Sequence, residues 1–429
     1  MAKDAEKNLR NIVCTMLVET LEKGGFSHIV VNDTFSSNDL DGQERAFVTR
    51  LFTGVLERLI LIDSIINAYS KTNTQKMKPV IRNILRLSVY QLFYMDSVPD
   101  HAAINEAVLL AKKKGFGGLT GFVNGVLRNI QRNGIPENLP ENVRCCTPKW
   151  FYEKMVQQEG KEAAEGFFYA CLESGKNVSV RLNLRKESKE NIVKSLIADG
   201  CKVEKDPEIK EAVYISGFEK LTELNAYKNG LIFIQDTSSM NIGVEAGNAL
   251  SEKTPKLIID VCAAPGGKST HLAEKYPEAR IISRDLTPEK TKLIEENRTR
   301  LGLSNVECQV WDALSLDETL VEKADLVVAD LPCSGLGVIG NKPDIKWRVK
   351  EKDLKELEQL QKNILTVVQS YVKPDGILIY STCTVNQGEN SDNVQWFTEN
   401  YPFELQKEKK FLPGRDNSDG FYIAVLKRK

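Results

Sequence analysis

The stretch Leu257-Ile258-Ile259-Asp260-Val261-Cys262-Ala263-Ala264-Pro265-Gly266-Gly267-Lys268-Ser269 decides the fold. A short apolar run ends on an acid and passes through small residues into a polar segment. This is the pattern of a buried parallel strand feeding the N-terminus of a helix. The alternation continues downstream, with strands expected over 279–284, 306–310, 325–329 and 377–380, and helices from 267 and 288, over 353–372 and near 390–399. Such βα repetition implies an open, mostly parallel sheet with helices on both faces. A final strand over 421–426, beyond a loop at 413–420, predicts an antiparallel pair at the C-terminus.

Ligands of such sheets bind at the carboxyl ends of the strands, where small residues let backbone approach them. The turn after Asp260 lacks the G-x-G-x-x-G fingerprint of dinucleotide sites. It is not a P-loop either, because that motif needs glycine where Cys262 stands. Acids follow at successive strand ends: Asp285 is placed for a ribose diol, Asp312 for an adenine amino group, and Asp330 closes the fourth strand. Three carboxylates would repel a pyrophosphate but suit a cationic, phosphate-free nucleoside, and S-adenosylmethionine fits that description.

Two cysteines sit in neighbouring turns, Asp330-Leu331-Pro332-Cys333 and Ser381-Thr382-Cys383. Adjacent strands lie roughly 5 Å apart, so both thiols are expected beside one pocket. A thiolate adding to C6 of cytosine makes C5 nucleophilic enough to accept a methyl group. The adduct needs a proton or hydrogen bond at N3, for which Asp330 is the candidate, with Lys268 positioned to assist. The base must first leave any duplex or stack.

The remaining composition narrows the choice. Of 429 residues, 41% are hydrophobic and 27% charged, as in ordinary globular proteins. No apolar run approaches a spanning helix, and the N-terminus lacks a secretory pattern, so a cytoplasmic protein without membrane contact is expected. Nine cysteines without a C-x-x-C pair, and three histidines (His28, His101 and His271), argue against a disulfide framework, a zinc site and His-based catalysis. Net charge is −1, yet residues 76–136 carry nine lysines and arginines against three acids. Arg82, Arg86 and Arg128 in this region, and Lys346, Trp347 and Arg348 in a basic-aromatic loop after Cys333, are the expected RNA contacts. Residues 1–135 read as all-helical, 145–240 as a small α+β module, and 241–429 as the α/β domain.

These motifs resemble the RNA cytosine-C5 methyltransferase family, often named after the bacterial Sun protein. Cys262–Lys268 matches its cofactor motif, Asp330–Cys333 its D-x-P-C motif and Thr382-Cys383 its T-C motif. The resemblance implies that Cys383 is the nucleophile and that Cys333 assists resolution of the adduct. It carries the family's cofactor contacts onto Cys262, Ala263, Ala264, Pro265, Gly266, Gly267, Lys268, Asp285, Asp312 and Asp330. Residues 41–132, including Phe52-Thr53-Gly54-Val55 and Phe122-Val123-Asn124-Gly125-Val126-Leu127-Arg128, look like a NusB-type RNA-binding domain. Val178–Asn183 and Gln235–Ser239 look like the family's RRM-like linking module. The fusion implies a multidomain, Rossmann-like, S-adenosylmethionine-dependent enzyme that methylates a single cytosine of 16S rRNA, free or in a small-subunit assembly intermediate, as a monomer without metal. The same chemistry on tRNA, and an RNA-binding factor with an idle catalytic half, are the competing readings. Ser269 in place of threonine and Arg284 before the ribose acid depart from the family pattern.

Overall fold

Local chemistry starts the helices of the N-terminal half. Asp41 accepts a hydrogen bond from the Glu44 N–H, and Glu44 accepts one from the Asp41 N–H. This reciprocal pair satisfies two donors that a helix start leaves orphaned. Pro79 stands at a first helical position, where no N–H is needed. The computed structural model describes residues 8–173, 177–251 and 253–429. It places α1 at Leu9–Glu22, α2 at Ser27–Ser37, α3 at Gly42–Glu57, α4 at Leu59–Tyr69, α5 at Pro79–Tyr94, α6 at Asp100–Lys113 and α7 at Thr120–Asn133. Their apolar faces share one core around Leu17, Phe52, Ile62, Leu85, Ile104 and Leu127.

By contact the chain forms two units. The first runs to Leu172 and includes Ile339–Arg348; the second takes Glu173–Val338 and Val349–Lys429. Residues 145–172, expected at the head of the middle module, thus lie in the helical unit. There Phe151, Phe167 and Phe168 pack edge to face and Leu172 reaches the helical core.

Several expected RNA contacts are engaged inside this unit. Met77, Ile81, Ile84, Leu85 and Ser88 recur at helical spacing and form the buried face of the α5 region. Lys78, Arg82 and Arg86 recur every four residues as a basic stripe on another face, and its two arginines are covered because α1 and α4 bring acids against them. Arg82 pairs with Glu22, while Arg86, itself buried, pairs with Asp63 at 2.7 Å and lies 3.6 Å from Glu22. The loop after Cys333 behaves likewise. Lys346 is buried and donates to the carbonyls of Glu57 (2.9 Å) and Cys146 (3.0 Å). Trp347 Nε1 donates to Leu56 O, and Arg348 bonds Asp344 and Gly24 O with its guanidinium over Phe26. Arg82, Arg86, Lys346, Trp347 and Arg348, all expected to meet RNA, thus each hold partners within this unit. Arg128 is exposed, and its guanidinium donates to Gln131 at 3.0 Å.

The second unit opens with a small antiparallel sheet of β1 (Val178–Leu182), β2 (Lys202–Lys205), β3 (Ala212–Ser216) and β4 (Ile232–Ile234), in the order β2-β3-β1-β4. The main sheet holds β5 (Leu257–Asp260), β6 (Arg280–Asp285), β7 (Val306–Val310), β8 (Ala324–Asp330), β9 (Val372–Thr382), β10 (Phe403–Phe411) and β11 (Phe421–Arg428). Its order is β10-β11-β9-β8-β5-β6-β7. β5 to β9 run parallel, and β11 pairs antiparallel with both β9 and β10. The chain leaves β5 toward β6 and β7, then returns to β8 on the other side. A crevice opens at such a reversal, between the carboxyl ends of β5 and β8.

Candidate active site

Three strands deliver the reacting groups to that crevice. The register pairs Asp330 at the end of β8 with Ser381 near the end of β9. Ser381 Oγ donates to Asp330 Oδ1 at 2.8 Å, and Lys268 Nζ, from the first turn of the helix Gly267–Lys275, lies 2.5 Å from Asp330 Oδ2. Burial opposes the lysine's charge, but Asp330, with a further contribution from Asp260, outweighs it and raises the Lys268 pKa. The Phe421 ring of β11 lies 5.7 Å from the same ammonium.

Just beyond these strand ends the Cys333 and Cys383 sulfurs are 3.2 Å apart, both half-buried and neither in a disulfide. A disulfide would need about 2.05 Å, so this is a contact between two thiols. The neighbouring Cys383, then burial, then the carboxylate of Glu389 push the Cys333 pKa well up. A thiolate is thereby disfavoured at Cys333.

The turns carrying the sulfurs are laced together from below. Thr384 Oγ1 and Ser334 Oγ are 2.7 Å apart, and Ser334 donates both its hydroxyl (2.6 Å) and its N–H (2.8 Å) to the wholly buried Glu389. Nothing in the sequence motifs singles out Ser334, Thr384 or Glu389 for a role. An acid in a polar loop looks like a surface residue, and no spacing signal distinguishes Glu389 from one.

On the cofactor side, Asp285 accepts from the N–H groups of Ala264 (2.9 Å) and Leu286 (2.8 Å) and lies 3.1 Å from Lys290 Nζ. The Ala263 N–H is tied to Arg284 O at 2.8 Å, so the loop Cys262–Gly267 is pinned along β6. Gly266 has φ of +101°, and a Cβ there would come within 3.2 Å of Ile294. Cys262 is half-buried; burial, then the neighbouring acids, raise its thiol pKa, so it stays neutral. Asp312 is exposed beyond β7, where it accepts from the Leu314 N–H at 2.9 Å; the adjoining Trp311 N–H donates to Asp285 O. Arg284, unusual before a ribose acid, is buried with its guanidinium 4.5 Å from the Trp311 ring and paired with Asp317. It therefore braces the second turn from behind.

Asp260 completes the set. It is fully buried, accepts from Ser269 at 2.6 Å through one oxygen, and its other oxygen has no partner. Burial raises its pKa to about 7, with the Ser269 bond and Lys268 acting in the opposite direction. An orphaned carboxylate oxygen, further acids at successive strand ends, and the exposed apolar flanks of Leu286 and Leu314 suit a cationic nucleoside. S-adenosylmethionine fits this donor set: Asp285 would hold the ribose, Asp312 with Leu286 and Leu314 the adenine, and the Asp260–Asp330 side the charged portion. Among the described residues no cluster of His, Cys, Asp and Glu is arranged to hold a metal, and no helix is long and apolar enough to cross a membrane.

Comparison with known proteins agrees with this geometry. Residues 248–427 match the family described as 16S rRNA methyltransferase RsmB/F, and residues 7–132 match the NusB family. The chain is 35% identical to the probable ribosomal RNA small subunit methyltransferase B of Bacillus subtilis (strain 168), over 98% of this chain and 99% of that protein. The corresponding protein of Shewanella oneidensis is 29% identical over the same shares. Among solved structures, PH0851 superposes with a TM-score of 0.83 at 25% identity, covering 99% of both chains. NSun6 from Pyrococcus horikoshii with SFG superposes with a TM-score of 0.60 at 22% identity, over 66% of this chain and 98% of that one, and shares the fold. A NusB domain followed by this catalytic sheet, with full-length identity above 30%, places the chain in the 16S rRNA methyltransferase RsmB/F family of S-adenosylmethionine-dependent enzymes.

Proposed function

We propose that the protein methylates C5 of a cytosine in 16S rRNA through a covalent adduct between Cys383 and C6 of the base. The observation that carries this reading is the pair of sulfurs 3.2 Å apart beside the Lys268–Asp330 ion pair. S-adenosylmethionine, when bound, supplies an electrophilic methyl group. The protein's own groups do the rest. Cys383 attacks C6 as a thiolate, its proton having passed to solvent. The charge pushed onto the ring is met by a proton at N3 supplied from the Asp330–Lys268 pair, whose heavy atoms lie 2.5 Å apart. With C5 now nucleophilic, methylation is possible. Loss of the C5 proton to a solvent base then expels Cys383 as a thiolate, a step assigned to assistance by Cys333, and N3 returns its proton to the pair.

The helical residues 1–135 and the module at 145–240 are assigned to docking the rRNA, with exposed Arg128 retained as a phosphate contact. A monomer acting on 16S rRNA, free or within an assembly intermediate, satisfies this arrangement.

The test uses purified protein, labelled S-adenosylmethionine and 16S rRNA lacking the modification. Cys383→Ala should abolish both methylation and adduct. Cys333→Ala should still attack but release slowly, so that a protein–RNA species resistant to denaturant accumulates. Full activity of Cys383→Ala would remove the proposed nucleophile, and label on tRNA alone would change the substrate.

A further inference from the structure

We propose that Glu389 is a positioning residue for Cys333, fixing the two sulfur-bearing turns against each other so that the covalent adduct can be released. The inference rests on the two-cysteine reading above and extends it to a residue outside the motifs.

The geometry is specific. The residue after each cysteine, Ser334 after Cys333 and Thr384 after Cys383, meets its counterpart at 2.7 Å. Ser334 directs its single hydroxyl proton to Glu389 Oε1, so Thr384 must be the donor between the two hydroxyls. A one-way relay thus runs from the Cys383 turn, through the Cys333 turn, into the carboxylate. Glu389 also accepts from the Ser334 N–H, from Gln361 Nε2 at 3.0 Å and from Asn386 Nδ2 at 3.2 Å. Gln361 Nε2 bonds Pro332 O as well, one residue before Cys333. Four donors converge on one acceptor-only group that is wholly buried. A neutral amide would present a donor to some of these donors and break the relay.

The same carboxylate acts on the sulfur electrostatically. The titratable groups around Cys333 are Cys383, Glu389 and Tyr380, with the Lys268–Asp330 pair beyond them. Glu389 disfavours a thiolate at Cys333, and removing its charge should let Cys333 ionise at lower pH.

The experiment compares wild type, Glu389→Gln, Ser334→Ala and Cys333→Ala with the same rRNA and labelled cofactor. Methyl transfer in the first turnover and disappearance of the denaturant-resistant adduct are followed separately across pH. Glu389→Gln should transfer its first methyl group normally, release the adduct about tenfold more slowly, and shift the alkaline limb of the release profile to lower pH. Ser334→Ala, which leaves the charge in place, should slow release without shifting that limb, and it carries the test if Glu389→Gln does not fold. Wild-type release with an unmoved profile would overturn the proposal, as would loss of methyl transfer and adduct formation together in a folded variant. If Cys333→Ala itself traps no adduct, the two-cysteine reading fails; if it does while Glu389→Gln and Ser334→Ala do not, only the role of Glu389 fails.

Discussion

At the scale of single residues, Asp260 shows how the cofactor edge trades stability for chemistry. Its folded pKa of about 7 stands above the ordinary aspartate value of about 3.9. Between those two values the folded protein binds more protons than the unfolded chain, so stability falls as pH rises through that window. The fall amounts to on the order of a few kcal/mol. Asp260→Asn keeps an acceptor for Ser269 and does not titrate. Melts without cofactor at pH 5 and pH 8 should therefore show the variant gaining on the wild type as pH rises; parallel pH dependences would remove this assignment. Bound cofactor should flatten the wild-type curve, since a cation beside Asp260 favours the charged form. Cys333, Cys383, Lys268 and Asp330 were legible because each stands in a short motif at a strand end. Asp260 was readable only as a strand terminus, and Glu389 not at all, because burial in a loop leaves no periodic trace.

At the scale of elements, the turns are held as tightly as the side chains. A Cβ on Gly337 would lie 2.0 Å from Gly420 O and 2.9 Å from Cys383 O, and these backbone atoms cannot swing aside. Gly337 N–H also donates to Cys383 O at 3.1 Å. Gly337→Ala should thus move the Cys383 turn, cost about 1–3 kcal/mol of stability and lower the methylation rate; an active variant with an unchanged melt would show that the turn has slack. The α5 stripe makes the complementary point. Its periodicity was plain in the sequence, but periodicity reports which side chains share a face and not what covers it. The acids of α1 and α4 that cover Arg82 and Arg86 lie tens of residues away along the chain. Arg86→Ala should accordingly cost the helical unit about 1–3 kcal/mol, by leaving the half-buried Asp63 without its guanidinium, while Glu22 keeps Arg82. Its RNA affinity should keep the salt slope of the wild type, and binding titrations from low to high salt check this. β10 was missed for a related reason: Phe403–Phe411 is largely exposed along its length, so it lacks the apolar run that marked β5, β8 and β9.

At the scale of the whole molecule, the division into units does not follow the order of the chain. Ile339–Arg348 follows the Cys333 turn in sequence, yet its contacts belong to the helical unit. In sequence the run Lys346-Trp347-Arg348 reads as a nucleic-acid contact, since lysine, tryptophan and arginine serve phosphate and base as readily as they serve carbonyls and rings. Only long-range packing separates the two uses, and here the carbonyls of Leu56, Glu57 and Cys146 take the donors. The two roles predict opposite outcomes for Lys346→Met. As a phosphate contact, its loss would leave stability alone and reduce the salt dependence of RNA binding by about one counterion. As an internal donor, its loss strands two buried carbonyls, each worth about 1–3 kcal/mol, with some relief from no longer burying an ammonium whose pKa is already lowered by that burial. Amide exchange should therefore speed up at least tenfold at the C-terminal end of α3 and around Cys146, while the salt slope stays at the wild-type value. Unchanged exchange with a shallower slope would return Lys346 to the RNA surface and detach Ile339–Arg348 from the helical unit.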